Sequence, residues 1–224
     1  MPMKLKILPS LLAADFGKLE AEAKRAQLAG GDELHIDIMD GHFVPNLSMG
    51  PDVVKMAKKN VSMPLSVHLM IDNPESLAEL FVKAGASTVF IHIEVDSNVR
   101  PILSLIRKLG ARAGITLNPE TPAEAVYPFL EFADEILCMT VSPGYGGQTF
   151  RPEVLSKIRN LRQRLTAVGQ NKDIMVDGGI SRDTIADCAS HGANSFVAGV
   201  ALFHSNDMAA EIALMRQKAM NATP

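Results

Sequence analysis

The stretch LAGGDELHID, residues 28–37, decides the fold because the same order of features recurs along the chain. In each copy the end of a helical segment is followed by a glycine and then by a short apolar strand. The other copies are KAGASTVFIHIE (83–94), KLGARAGITL (108–117) and HGANSFVAG (191–199). Glycine after the last helical turn accepts the left-handed conformation that ends a helix. The repeated step from helix to strand therefore predicts alternating α and β elements.

Four more segments have the composition of buried strands. They are KLKILPS (4–10), PLSVHLM (64–70), DEILCMTVS (134–142) and DIMVDGG (173–179), and each is nearly continuously apolar, as expected for strands covered on both faces. Eight strands with helical segments between them predict an α/β fold, a (β/α)8 TIM barrel, with residues 1–224 as a single domain. A doubly wound open sheet is the competing architecture, because eight alternations also suit it.

Composition and charge favour an enzyme of small-molecule metabolism. The 224 residues are 47% apolar, and the 22 basic and 25 acidic residues leave a net charge of -3. This balance predicts no nucleic-acid partner and no membrane partner. The apolar run near the start is broken by Pro9 and Asp15, which makes it too short for a signal core or a membrane span. Cys138 and Cys188 stand far apart in apolar surroundings, which favours a reducing, cytoplasmic location.

Several side chains that can carry chemistry stand at alternate positions of the predicted strands. Because residues i, i+2 and i+4 of a strand share one face, His35 and Asp37 point the same way. The next predicted strand places His68 on the matching face, and the seventh ends at Asp177. In a TIM barrel such faces converge on the C-terminal mouth, where barrel enzymes act. The same parity applies to Ser66 and to the methionines Met39, Met70 and Met175.

Two imidazoles and two carboxylates at one rim suit a divalent transition-metal cation, one per subunit, such as Zn, Fe, Mn or Co. Buried carboxylates are costly unless they are paired or bound to a metal, which favours a metal site for His35, Asp37, His68 and Asp177. A lone histidine in an apolar strand is more often a hydrogen-bonded core residue. We expect this of His92 in VFIHIE, with Glu94 as its partner.

Glycine-rich loops follow the last three predicted strands. They are SPGYGGQTF (142–150), VDGGIS (176–181) and VAGVALF (197–203). Glycine lets backbone N–H groups approach a ligand closely, and the loops after the late strands form the recurrent phosphate site of TIM barrels. A single glycine pair would predict only a turn, but three such loops together predict a phosphorylated substrate. The first basic residue after the VDGG glycines is Arg182, so backbone amides and helix dipoles should provide most of the phosphate binding.

Taken together, HIDIMDGHFVPN (35–46), VHLM (67–70), SPGYGGQTF, VDGG and FVAG resemble the ribulose-phosphate 3-epimerase family. The resemblance runs from Ser10 to about Phe203, and no single motif carries it. It implies a phosphorylated ketose as the substrate and a homo-oligomer, either a dimer or a hexamer.

The resemblance also implies roles for individual residues. Asp37 would accept a proton and Asp177 would donate one, while His35 and His68 would complete the metal site. Substrate-binding roles are implied for Ser10, His68, Gly144, Tyr145, Gly146, Gly147, Gly178, Gly179, Gly199 and Val200. Met39, Met70 and Met139 would cover the intermediate and exclude water.

The sequence departs from the commonest family pattern at two places. SPGYGG stands where Asn-Pro-Gly-Phe-Gly-Gly is usual, and Val200 stands where many members have serine, so only a backbone contact carries over there. LNPETP (117–122) and MTV (139–141) also resemble the allulose-phosphate 3-epimerases, which leaves a six-carbon substrate open. Two other classes stay open: a phosphosugar lyase or decarboxylase of the same barrel type, and a phosphosugar-binding barrel without activity.

Overall fold

Eight parallel strands follow one another around a nearly closed barrel in the computed structural model, which describes residues 4–223. The strands are β1 (Lys6–Pro9), β2 (Leu34–Met39), β3 (Leu65–Met70), β4 (Thr88–His92), β5 (Arg112–Leu117), β6 (Glu135–Met139), β7 (Asp173–Asp177) and β8 (Ser195–Ala198). Each strand pairs in parallel with its neighbour in the order β1-β8-β7-β6-β5-β4-β3-β2. The predicted (β/α)8 barrel is confirmed, and the open doubly wound sheet is wrong.

The remaining seam of the barrel lies between β1 and β2. An isolated parallel bridge joins Ser10, just after β1, to His35 in β2. The seam therefore brings the residue that follows the first strand next to the strand that carries His35 and Asp37.

Helices cover the outside of the barrel and alternate with the strands. They are α1 (Leu19–Leu28), α2 (Pro51–Asn60), α3 (Pro74–Ala84), α4 (Val99–Lys108), α5 (Leu155–Ala167), α6 (Ile185–Ser190), α7 (Val200–Phe203) and α8 (Met208–Ala222). The unit after β5 differs from the predicted pattern, because Ala123–Phe129 forms a 3-10 helix. Pro128 lies inside this segment, and proline removes a backbone donor that a regular α-helix needs. Among residues 4–223, every helix is too short or too polar to cross a lipid bilayer.

The four glycines predicted to end helices have the required backbone conformation. Gly30, Gly85, Gly110 and Gly192 have φ values of 90°, 114°, 92° and 108°. Gly85 is the C-cap of α3, and its N–H donates to carbonyl oxygens of the last helical turn. These left-handed positions turn the chain from each helix into the next strand, as the repeated motif predicts.

The interior of the barrel is arranged in layers that follow the strand parity. A polar layer at the N-terminal ends contains the first residues of their strands, Lys6, Thr88, Arg112, Glu135, Asp173 and Ser195. An apolar layer above it contains Leu8, Phe90, Leu137, Met175 and Val197. Gly114 lies beside Phe90 across the β4–β5 pair, and a side chain there would collide with the Phe90 ring. The layer at the C-terminal ends contains the predicted site residues.

Candidate active site

The register of β2 and β3 places the predicted site residues in adjacent pairs. Asp37 pairs with His68, and Met39 pairs with Met70. His35 and His68 are completely buried, and Asp37 is 2% exposed. Asp177 ends β7, and its side chain is 18% exposed, so it faces the mouth of the barrel. The parity prediction for these strands is confirmed.

The four predicted metal-ligating side chains converge on one point. Asp37 Oδ1 lies 3.4 Å from His35 Nε2 and 3.1 Å from His68 Nδ1. Asp177 Oδ2 lies 4.0 Å from His35 Nε2 and 3.9 Å from His68 Nδ1. One ligand atom from each residue falls within 4.8 Å of all the others. The sequence could not specify which ring nitrogens face the cluster, and the structure identifies Nε2 of His35 and Nδ1 of His68.

This donor set fits a divalent cation. Two imidazole nitrogens and two carboxylates are typical zinc ligands, at about 2.0–2.2 Å from the ion. Ligand atoms separated by 3.1 to 4.0 Å can therefore share one ion. His35 Nε2 is also buried without a hydrogen-bond partner among the described residues. A buried polar atom is rarely left unpaired, and a cation would pair this one.

Serine hydroxyl groups form hydrogen bonds with atoms of these residues that do not face the cluster. Ser10 Oγ donates to Asp37 Oδ2 at 2.6 Å, and Ser66 Oγ lies 3.0 Å from His35 Nδ1. Ser48 Oγ donates to the Asp37 carbonyl oxygen at 2.6 Å. Ser10 therefore contacts a site carboxylate directly, and the Ser48 contact, which was not foreseen, fixes the end of β2.

His92 has the predicted partner and also a contact that the sequence did not reveal. Its Nδ1 lies 2.9 Å from Glu94 Oε2, which confirms the expected hydrogen bond. Its Nε2 lies 2.8 Å from His68 Nε2. His92 is therefore joined to the cluster as well as to the core. The signal was present in the sequence, since His92 has the parity of Phe90, whose ring fills the barrel interior.

Burial and charge separate the pKa values of the two acids. Burial alone would raise the pKa of Asp37, but the neighbouring His35 and His68 outweigh it and hold that pKa far below its usual value. Burial and the Asp37 charge raise the pKa of Asp177. One carboxyl therefore favours the ionised form and the other the protonated form, as acid/base pairs in active sites do.

The histidines respond to burial in different ways. Burial lowers the pKa of His68 to about 4 and also lowers that of His92. At His35 burial is outweighed by the Asp37 and Asp177 carboxylates, which raise its pKa. His68 and His92 are therefore neutral imidazoles near pH 7, and a neutral imidazole is the form that binds metals.

The three predicted cap methionines lie over the cluster. Met39, Met70 and Met139 are each at most 3% exposed and line the same pocket as Asp37 and Asp177. Met39 and Met70 pack with Val44, which lies in the loop after β2. The apolar lining at the mouth helps to keep Asp37 away from bulk water, whereas Asp177 is partly exposed.

The predicted phosphate loops line the outer part of this pocket. Gly144, Gly146, Gly147, Gly178, Gly179, Gly199 and Val200 all border it. Gly179 has a φ of 65°, and a Cβ there would lie 2.6 Å from the backbone nitrogen of Phe150. Gly179 therefore packs against the loop after β6 more closely than a residue with a side chain could. Gly199 is the N-cap of α7, and Val200 is the first residue of that short helix.

Two side chains join the loops around the mouth. The Tyr145 hydroxyl donates to the Pro45 carbonyl oxygen at 2.8 Å, and Asn46 Nδ2 donates to the Gly144 carbonyl oxygen at 2.7 Å. The ring of Tyr145 is thus directed across the mouth and remains 54% exposed. The loop after β2 and the loop after β6 are thereby held together.

Neutral groups dominate the part of the pocket that the glycine-rich loops line. Arg182 forms an ion pair with Glu211 of α8, and among residues 4–223 no lysine or arginine lines the pocket.

Thr140 Oγ1 lies 2.8 Å from the carbonyl oxygen of Asp177 and 2.6 Å from that of Gly178. This contact holds the end of β7 and was not foreseen from the sequence.

Comparison with known proteins gives one consistent family. The model of the ribulose-phosphate 3-epimerase family matches residues 6–203. A ribulose-phosphate 3-epimerase of Mycobacterium bovis is 45% identical over 213 residues, which cover 95% of this chain and 92% of the relative. A ribulose-phosphate 3-epimerase of Oryza sativa, named as a cytoplasmic isoform, is 44% identical over 216 residues, covering 95% of this chain and 93% of the relative.

Solved structures show the same architecture at low identity. The 3-hexulose-6-phosphate synthase from Salmonella typhimurium superposes with a TM-score of 0.69 at 20% identity, covering 97% of this chain and 100% of that one. Likeness at this identity supports the barrel fold and nothing finer.

Proposed function

Since the chain belongs to the ribulose-phosphate 3-epimerase family and is a carbohydrate epimerase, we propose that it interconverts D-ribulose 5-phosphate and D-xylulose 5-phosphate by inverting C3. The observation that carries the proposal is the placement of two carboxylates, Asp37 and Asp177, in one pocket beside the glycine loops, within one cluster with His35 and His68.

Inversion beside a ketone requires a proton to leave one face of the carbon and another to arrive on the opposite face. A single fixed base cannot serve both faces. Asp37 extends from β2 and Asp177 from β7, so around the barrel they are separated by β3 to β6 on one side and, across the seam, by β1 and β8 on the other. In one direction Asp37 accepts the C3 proton and Asp177 donates to the other face, and the roles exchange in the reverse direction. The intermediate between the two transfers is an enediolate.

His35, Asp37, His68 and Asp177 would hold one divalent cation. When bound, the cation supplies stabilisation of the negative charge that develops on the substrate oxygens, which is worth several kcal/mol. Ser10 and the two histidines orient the carboxylates, and Ser10 Oγ fixes the Asp37 oxygen that it contacts at 2.6 Å. Met39, Met70 and Met139 keep water from the enediolate.

The phosphate lies against the backbone of Gly144 to Gly147, Gly178, Gly179, Gly199 and Val200 in this proposal. Hydrogen bonds from backbone amides suit a phosphate in a pocket lined by neutral groups. Val200 contributes its backbone only, because its side chain has no hydrogen-bonding group. The names of the curated relatives favour the pentulose over the six-carbon allulose 6-phosphate.

The proposal is tested by epimerisation and by deuterium incorporation at C3 in deuterated water. We expect the wild-type protein to incorporate deuterium into D-ribulose 5-phosphate and a chelator to abolish turnover. Asp37→Asn and Asp177→Asn should each lower kcat by about 10²–10⁴-fold, the usual contribution of a general acid or base. Parallel assays with D-allulose 6-phosphate decide the length of the sugar.

Asp183→Asn provides a matched control, because Asp183 is an exposed acid six residues beyond Asp177. It should leave turnover unchanged. Epimerisation at the wild-type rate by Asp37→Asn or Asp177→Asn would contradict the two-carboxylate mechanism. Turnover that survives complete removal of metal would contradict the cation site while leaving the acid/base pair to be judged from the variants.

We also propose three properties of the protein that do not concern the reaction itself. We propose a cytoplasmic location, which the description of the rice relative as a cytoplasmic isoform supports. We also propose that residues 1–224 act as one domain and that the protein assembles as a dimer or hexamer. Light scattering coupled to size-exclusion chromatography would measure the number of subunits.

A further inference from the structure

We propose that Thr140 is a positioning residue for the reaction: its hydroxyl fixes the backbone that carries Asp177, and so sets the location of this acid relative to C3 of the substrate. Thr140 is the first residue after β6 and is completely buried. It lies beside the end of β7 because the strand register pairs Met139 with Asp177. Thr140 itself does not border the pocket, so its effect passes through Asp177. The inference rests on the proposed function, which assigns Asp177 as one of the two acids.

The two acids of the pocket are fixed in different ways. The Asp37 carboxylate accepts a hydrogen bond from the Ser10 hydroxyl at 2.6 Å. Among residues 4–223 no side chain donates a hydrogen bond to the Asp177 carboxylate, and the facing ring nitrogens of the two cluster histidines lie 3.9 and 4.0 Å from its Oδ2. The location of the Asp177 carboxylate therefore depends on the backbone to which it is attached.

The backbone after Asp177 has few restraints of its own. β7 ends at Asp177, and the next two residues, Gly178 and Gly179, have φ values of 118° and 65°. Glycine has wider conformational freedom than any other residue, and both of these glycines lie in the left-handed region. A contact from another element is therefore needed to keep the acid in register with the sheet.

Thr140 supplies this contact through two of its polar groups. Its backbone N–H donates to the Asp177 carbonyl oxygen at 2.8 Å. Its hydroxyl lies 2.8 Å from the same oxygen and 2.6 Å from the Gly178 carbonyl oxygen, so two successive carbonyl groups share its one proton. The adjacent Val141 packs so closely on Gly178 that a Cβ there would collide with it. The hydroxyl thus joins the last residue of β7 to the first residue of the following loop.

Thr140→Val removes this hydrogen bond and also displaces the end of β7. The new methyl group would take the place of a hydroxyl 2.6 Å from the Gly178 carbonyl oxygen, whereas carbon and oxygen atoms approach to about 3.3–3.6 Å. The end of β7 must therefore move by roughly 0.7 Å. A misplacement of about 1 Å can cost about 10²-fold in rate, so kcat should fall by about 10–100-fold. Thr140→Ser keeps the hydroxyl and should restore kcat to near the wild-type value.

Isotope effects distinguish a misplaced Asp177 from a general loss of structure. The proposed reaction has one proton transfer at each face of C3, and Asp177 takes part in only one of them. With substrate deuterated at C3, slowing that transfer should raise the isotope effect on kcat/KM in the direction in which Asp177 removes the deuteron. It should lower the isotope effect in the direction in which Asp37 removes it. A defect that disturbs both transfers alike would not move the two values apart.

Ser10→Ala gives the opposite expectation, because the Ser10 hydroxyl contacts Asp37 instead. The two isotope effects should therefore shift in the reverse sense in this variant. Thr166→Val is the matched control, since Thr166 is exposed and its hydroxyl donates to the Arg162 carbonyl oxygen at 3.0 Å within α5. It should leave kcat and both isotope effects unchanged.

The assays use the purified full-length protein with Co²⁺ present throughout, and D-ribulose 5-phosphate and D-xylulose 5-phosphate with and without deuterium at C3. Urea unfolding verifies that each variant is folded. If Thr140→Val is not, Thr140→Ala replaces it, because alanine removes the hydroxyl without adding a methyl group in its place.

Isotope effects that move apart in Thr140→Val, in the sense opposite to Ser10→Ala, together with recovery in Thr140→Ser, would support the inference. A wild-type kcat in the hydroxyl-free variant, or a lower kcat with isotope effects that are unchanged or shift in the same sense, would overturn it and leave the proposed function intact. A wild-type protein that epimerises neither ketose phosphate would overturn the proposed function and this inference with it.

Discussion

Glu135 at the base of the barrel should make the protein less stable as pH rises, and Glu135→Gln should remove this effect. The side chain is completely buried, and its Oε2 has no hydrogen-bond partner among the described residues. Its Oε1 lies 3.0 Å from Arg112 Nη1. Burial raises the pKa of Glu135 from 4.5 to about 7, against the opposing attraction of Lys6 and Arg112. The other charged groups of this layer, Glu33 and Asp173, raise the pKa further.

The sign of the effect follows from proton linkage. Between pH 4.5 and 7 the folded protein holds more protons on Glu135 than the unfolded chain does, so the free energy of unfolding falls as pH rises. At about 1.4 kcal/mol per pKa unit, the whole shift corresponds to about 3 kcal/mol. Integration for this one group assigns about 2–3 kcal/mol of the loss to the interval between about pH 5 and 8.

Urea unfolding of the wild type and Glu135→Gln at pH 5 and pH 8 measures this quantity. Glutamine keeps the shape and an acceptor for Arg112 but does not ionise. The difference in unfolding free energy between variant and wild type should therefore move in favour of the variant by about 2–3 kcal/mol on going to pH 8, or about 5–10 °C in Tm. The exposed Glu124, changed to glutamine, is the control. A difference that does not vary with pH would refute the reasoning.

Other substitutions test the packing and the phosphate site. Gly179→Ala places a Cβ 2.6 Å from the Phe150 nitrogen at a φ of 65°, so displacement of the loop should lower kcat/KM by about 10²-fold in steady-state assays. Gly50→Ala, where a Cβ meets nothing within 4 Å, should leave kcat/KM unchanged, and equal losses in both variants would contradict the role of the loop. Gly114→Ala should lower the free energy of unfolding by about 1–3 kcal/mol through collision with Phe90, as measured by urea titration; an unchanged value would show that the interior layer can adjust.

The sequence predicted the barrel and most of its site because both depend on local rules. Glycine at the end of four helices and unbroken apolar strands specify the alternation, and strand parity specifies which side chains face inward. Parity alone placed His35, Asp37 and His68 on the interior face, and the family motifs supplied the roles that parity cannot give. The α-helix expected after β5 is absent, since the proline within Ala123–Phe129 limits that segment to a 3-10 helix.

The contacts between strands could not be predicted in the same way. The contact between His68 and His92 depends on the register of β3 against β4 and on ring orientations that sequence spacing does not encode, whereas Glu94 was predicted as the partner of His92. The hydrogen bond from the Thr140 hydroxyl to the Asp177 carbonyl oxygen likewise joins residues that are 37 positions apart in the sequence.

Periodicity and glycine placement determined the fold and the inward faces, because they act over a few residues and leave their pattern in the chain. The tertiary structure decided which nitrogen of each histidine faces the cluster, which groups stand behind it, and that a carboxyl is buried at the opposite end of the barrel beside Lys6 and Arg112. Hydrogen-bond direction and desolvation depend on groups brought together from distant strands, so they exist only once the barrel has closed.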